Sequence, residues 1–113
     1  MTDMDRVPLL LDDLHRLSVS ARKIVGHGQH AFESVNGDLL RLAAKAVLIG
    51  LSTFADRLPE SFRADHPAVP WRNVRALRNF LAHDYDGTDY AIVWGVLADD
   101  LPGIARELLD AER

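Results

Sequence analysis

The 113-residue chain contains no cysteine, which excludes disulfides and leaves nothing that points to an oxidising compartment. It lacks a basic opening as well. Met-Thr-Asp-Met-Asp carries acids where a signal peptide would carry its positive segment. A long apolar run is also missing: the richest stretch, Leu39 to Leu58, is interrupted by Arg41, Lys45, Asp56 and Arg57, so it is no membrane span. A cytoplasmic protein without a membrane partner is therefore expected. No alternating apolar pattern, tandem repeat or low-complexity segment occurs, which argues against strands and solenoids.

What is present fits one domain, residues 1–113. A hydrophobic fraction of 48% is enough to fill a core, and a chain this size hides somewhat under ~70% of its unfolded surface. The net charge of −4 is unevenly spread. Residues 1–40 hold 4 basic and 6 acidic side chains, residues 41–83 hold 7 and 3, and residues 84–113 hold 2 and 8. The middle segment can attract a phosphate locally, whereas the whole chain should not coat nucleic acid. The acidic end is either a solvated helix face or a surface for a basic partner.

Apolar residues repeat at helical spacing from Val7 through Leu10, Leu11, Leu14, Leu17 and Ala21 to Ile24, with His15 off the stripe and expected exposed. His27 and His30 have a spacing that metal ligands use, yet they flank a glycine-containing helix end with no third ligand nearby, so no metal is expected. Residues 31–38 read as a connector, and Asp38 to Leu58 as a central helix apolar on much of its circumference. On it, Arg41 and Lys45 share a face, serving either solubility or positive potential near the next helix. Pro59, Pro67 and Pro70 mark 59–69 as a loop. After Asp86-Gly87-Thr88, a turn in which Thr88 can cap, a helix carries Tyr90 to Leu97 with Trp94 expected between helices. Asp100 and Pro102 are expected to reset the chain before a short C-terminal helix. The sum is an all-α, antiparallel bundle of about five helices.

The segment Pro67–Tyr85 carries the chemistry. Val74, Leu77 and Leu81 form one side of an amphipathic helix that Pro70 suits as an entry. Arg72, Arg75, Asn79 and His83 fall opposite, and Arg78 lies between the two faces. Arg78-Asn79-x3-His83-x-Tyr85 resembles the R-x4-H-x-Y motif of HEPN-superfamily ribonucleases, most closely the HepT-like toxin group. Val69-Pro70-Trp71-Arg72, Ile92-Val93-Trp94 and Asp100-Leu101-Pro102 resemble that group too. The group commonly carries a glutamate after an Ile-Gly pair, where this chain reads Ile49-Gly50-Leu51.

Metal-independent RNA cleavage needs a base for the ribose 2′-OH, an acid for the leaving 5′ oxygen, and cations for the phosphorane charge. His83 suits acid–base work because its intrinsic pKa lies near neutrality. Arg78 suits a phosphate clamp because a guanidinium grips two oxygens at once. Asn79 could orient the imidazole or contact substrate, with Arg72 and Arg75 as supporting cations. Positions 78 and 83 diverge by roughly 140° on an ideal helix, and one chain supplies one motif histidine. The two converge only if the helix unwinds near His83 or if another chain completes their reach, and a homodimer with two Arg78/His83 pairs across one cleft answers both difficulties. The resemblance implies such a dimer, a HEPN-like fold, no cofactor, and a nucleotidyltransferase antitoxin that transfers AMP to the motif tyrosine, Tyr85. The rival readings are a non-catalytic RNA- or nucleotide-binding module and a purely structural partner of the nucleotidyltransferase.

Overall fold

A computed structural model describes residues 3–84 and 89–111. A 3-10 turn, Asp3–Arg6, leads into α1 (Val7–Val25), followed by α2 (Gln29–Glu33) and α3 (Asp38–Arg57). Then come α4 (Glu60–Ala64), α5 (Trp71–Asp84) and α6 (Tyr90–Gly95), which runs through a π turn, Val96–Asp100, into α7 (Leu101–Ala111). Among the described residues there is no strand, and the protein is all-α as its periodicity predicts.

The hydrophobic stripes decide which helices touch. The α1 stripe buries Val7, Leu10, Leu11, Leu14, Ala21 and Ile24, while His15 stays exposed. α3 is the central helix, packed by α1 on one flank and α5 on the other. The start of α1 meets the end of α3, since Leu10 and Asp13 share a cleft with Thr53 and Arg57. The end of α1 meets the start of α3, where Lys23 and His27 line a groove with Leu40 and Ala43. The two helices are therefore antiparallel. Gly50 permits their close approach, because a Cβ there would come within 2.8 Å of the Leu17 Cδ2. α7 covers α1 on its remaining side. Leu14, Leu48, Leu51, Leu97, Leu101 and Leu108 are fully buried. Each such leucine favours the folded chain by about 1.5–3 kcal/mol relative to an exposed one.

The connectors are more ordered than the sequence suggests. Residues 31–38 are not simply a linker, because α2 is anchored by Phe32, which is fully buried. Gly37 then turns the chain so tightly that a Cβ would sit 2.4 Å from the Ala31 carbonyl oxygen and 2.6 Å from that of Phe32. Likewise 59–69 is not all loop: α4 forms around the buried Phe62. Arg63 donates to the Ala55 carbonyl (2.9 Å) and to that of Leu58, satisfying acceptors that the end of α3 leaves open. The Trp71 indole N–H is shared between the Arg63 and His66 carbonyls, each at 3.0 Å, which fixes the entry into α5.

The expected break at Asp100 and Pro102 does not occur. Helix continues from Tyr90 to Ala111, and the π turn absorbs the proline. A proline ring strikes the carbonyl four residues earlier, here Ala98, and the wider turn spanning Val96–Asp100 makes room for it. The Thr88 cap lies outside the described residues, and the side chain of Asp89 accepts the Ala91 N–H at 3.0 Å. Trp94 is half-buried rather than enclosed, with its ring 5.5 Å from that of Phe32. No helix among the described residues is long and apolar enough to cross a membrane.

Candidate functional site

α5 begins directly after Pro70, and its apolar side does what the spacing predicts. Val74 and Leu81 are buried and Leu77 is half-buried against the core. That leaves Arg72, Arg75, Arg78 and Asn79 exposed. The basic, polar side of the helix is thus open to a ligand from Arg72 to Asn79.

Two of these arginines are held from the neighbouring helix. Arg75 Nε donates to Asp56 Oδ1 at 2.7 Å, and Arg78 Nη2 donates to Thr53 Oγ1. Beneath them the fully buried Ser52 hydroxyl donates to the Arg75 carbonyl at 3.1 Å, so its polar group is satisfied inside the core. As the α3 number falls from 56 to 53 the α5 number rises from 75 to 78, which makes these helices antiparallel as well. Sequence reasoning missed Thr53 and Asp56. The available signal was their three-residue spacing, matching that of Arg75 and Arg78.

The structure separates other expectations. Arg41 does not serve as a surface cation for the site. Its Nη1 donates to the Phe32 and Ser34 carbonyls, each at 2.7 Å, and its guanidinium stacks 4.8 Å from the Tyr90 ring centroid. It ties α2, α3 and α6 together. Leu51, where the resemblance leads one to look for an acid, is fully buried in the core. Residue 51 therefore contributes packing, and the polar contribution of α3 to the arginines comes from Thr53 and Asp56.

His83 lies within α5, although its side chain is outside the described set, and Tyr85 lies outside the described residues altogether. α5 nevertheless stays helical through Asp84. Positions 78 and 83 are consequently set roughly 140° apart around its axis. His27 and His30 are both exposed, and no group of three or more potential metal ligands occurs among the described residues.

Alongside the arginines, α3 leaves an apolar stripe uncovered. Leu39 (75% exposed), Leu42 (60%) and Ile49 (36%) run along it with the exposed Ala43 and Ala46. At ~100° per residue these positions share the face that carries Thr53. The stripe and the arginine-bearing edge of α5 thus occupy one side of the molecule.

Comparison with known proteins adds a family. The model of the Ribonuclease HepT-like family matches residues 19–110. "Putative RNase MJ1380" of Methanocaldococcus jannaschii is 33% identical over 76 residues, covering 67% of this chain and 70% of that protein. "Putative RNase TTE0752" of Caldanaerobacter subterraneus subsp. tengcongensis is 34% identical over 59 residues, 50% of this chain and 53% of the relative. "Probable ribonuclease HepT" of Thermococcus cleftensis is 34% identical over 47 residues, 42% of this chain and 43% of the relative. The matched stretch thus spans about half or less of the last two relatives. No solved structure matches the chain significantly.

Proposed function

The chain belongs to the HepT-like ribonuclease family of HEPN proteins, and from that membership we propose that it is a metal-independent endoribonuclease with a composite dimer site. The observation that carries this reading is the unbroken helix around Arg78 and His83. An axis that stays helical to Asp84 sets the two positions roughly 140° apart, which favours a site completed by a second chain. Two copies related by a two-fold axis place the Arg78 of each beside the shared cleft. The uncovered stripe of Leu39, Leu42 and Ile49, on the same side as the arginines, supports a second copy there.

In this site one His83 takes the proton of the ribose 2′-OH, and that oxygen attacks the adjacent phosphorus. The bond from phosphorus to the 5′ oxygen breaks, and the leaving oxygen takes a proton from the second His83. A 2′,3′-cyclic phosphate and a free 5′-OH remain. Arg78 holds the phosphorane oxygens, with Arg75, Arg72 and Asn79 contacting the flanking chain. All five positions stand on α5 of one domain spanning 1–113, acting on RNA in the cytoplasm.

The reading extends to regulation. A nucleotidyltransferase antitoxin transfers AMP to Tyr85, and the added phosphate next to the motif residues closes the site by bulk and charge. One observation favours the rival binding module: Leu51 is core, so α3 brings no acid to the site from that position. Incubating the purified protein with labelled RNA in EDTA, beside Arg78→Ala and His83→Ala, separates the two. Cleavage by the wild type and by neither variant supports the enzyme. RNA retained intact by the wild type supports the module.

A further inference from the structure

The two tethers between α3 and α5 form a ladder. Thr53 and Asp56 are three residues apart on one helix, Arg78 and Arg75 three apart on the other, and among the described residues each arginine is held by a contact of its own. The Ser52 bond to the Arg75 carbonyl fixes the height of one helix against the other, so the rungs stay in register. A guanidinium carries five N–H donors. Among the described residues, Arg75 spends its Nε on Asp56 and keeps both terminal nitrogens, whereas Arg78 spends Nη2 on Thr53 and keeps Nε and Nη1. Both side chains remain exposed despite their tethers.

We propose that Thr53 and Asp56 are positioning residues that preset Arg78 and Arg75 as a paired clamp for RNA phosphates. The inference rests on the ribonuclease reading above. A long exposed side chain loses rotamer freedom when it grips a ligand, and holding it beforehand reduces that loss at the moment of binding. The two rungs do this differently. Thr53 supplies a neutral acceptor and leaves the charge of Arg78 undiminished. Asp56 supplies a carboxylate, which orients Arg75 while offsetting part of its attraction for phosphate. The clamp therefore has one strong and one moderated arm.

The test uses the full-length protein with a random-sequence RNA pool for cleavage. A 2′-O-methyl pool, which has no free 2′-OH to attack, reports binding by fluorescence anisotropy. Thr53→Val keeps the branched shape and removes the acceptor. It should raise KM and the dissociation constant about five- to tenfold, with kcat changed less than about twofold. Thr53→Ser should restore both to within about twofold of wild type. Asp56→Ala should weaken binding, whereas Asp56→Asn, which keeps Oδ1 and loses the charge, should tighten it. Equal KM values for Thr53→Val and Thr53→Ser, or for Asp56→Ala and Asp56→Asn, overturn the positioning role. A wild type that cuts and an Arg78→Ala that does not, with Thr53→Val matching wild type, overturn this inference alone. A wild type that neither cuts nor binds either pool overturns the ribonuclease reading and the inference with it.

Discussion

Replacing Leu51 by glutamate gives this chain the acid that its resemblance leads one to expect, and the structure indicates that the fold will resist it. Leu51 is fully buried on the core side of α3, away from the face that carries Thr53. Removing its side chain from the core forfeits about 2–3 kcal/mol of burial. The new carboxyl, enclosed by apolar groups, has to stay protonated, which shifts its folded pKa upward. Holding it neutral at pH 7 against an ordinary glutamate value near 4.3 costs about 3.7 kcal/mol, at 1.36 kcal/mol per pH unit. The total, about 6 kcal/mol, is comparable with the ~5–15 kcal/mol that stabilises a typical domain. The sign with pH is fixed by linkage: a raised folded pKa means that stability falls as pH rises above the unfolded value. Urea unfolding followed by far-UV circular dichroism should therefore show Leu51→Glu less destabilised at pH 5 than at pH 7, by about 2.7 kcal/mol relative to wild type. Leu51→Met should cost under about 1.5 kcal/mol at both pH values. A glutamate variant with near-wild-type stability and no pH dependence would place residue 51 at the surface and refute the reasoning.

Ala46→Glu puts a charge in the middle of the uncovered α3 stripe, so analytical ultracentrifugation should find the wild type as a dimer and this variant as a folded monomer without RNA cleavage. Gly37→Ala should lower the melting temperature by several degrees, reflecting a cost of about 2 kcal/mol or more, because its Cβ meets two backbone oxygens that no rotamer can move. Tyr85→Phe should leave RNA cleavage intact yet escape silencing by a co-expressed nucleotidyltransferase, with adenylate mass found on the wild-type Tyr85 peptide and absent from the variant. Silencing of both proteins alike would point to steric capping instead.

The sequence was most informative where many residues repeat one signal. The α1 stripe from Val7 to Ile24 and the Val74, Leu77 and Leu81 side of α5 each declare a helix and its buried face. α2 and α4 leave no periodic signal because five residues are too few for a period to register, and each depends on one aromatic, Phe32 or Phe62, finding a distant core. The helix through Pro102 was obscured because proline ordinarily ends a helix, and only the π turn before it removes the clash. At the site, α5 with its exposed arginines was legible, since exposure and charge follow from one helical wheel. The rungs were not, because pairing Thr53 with Arg78 and Asp56 with Arg75 depends on the register between two helices. Arg41 misled for the same reason: the carbonyls it satisfies belong to α2, a helix that periodicity did not reveal.

The central claim, that two His83 side chains serve one cleft, is tested most directly by subunit mixing. Wild type held at constant amount is unfolded and refolded together with increasing His83→Ala, and the rate of RNA cleavage is measured. If each cleft needs both histidines, mixed dimers are inert, and activity falls to about half at equal amounts and to about a tenth at ninefold excess. Activity that stays constant across the titration would mean that each chain cuts by itself and would contradict the composite site.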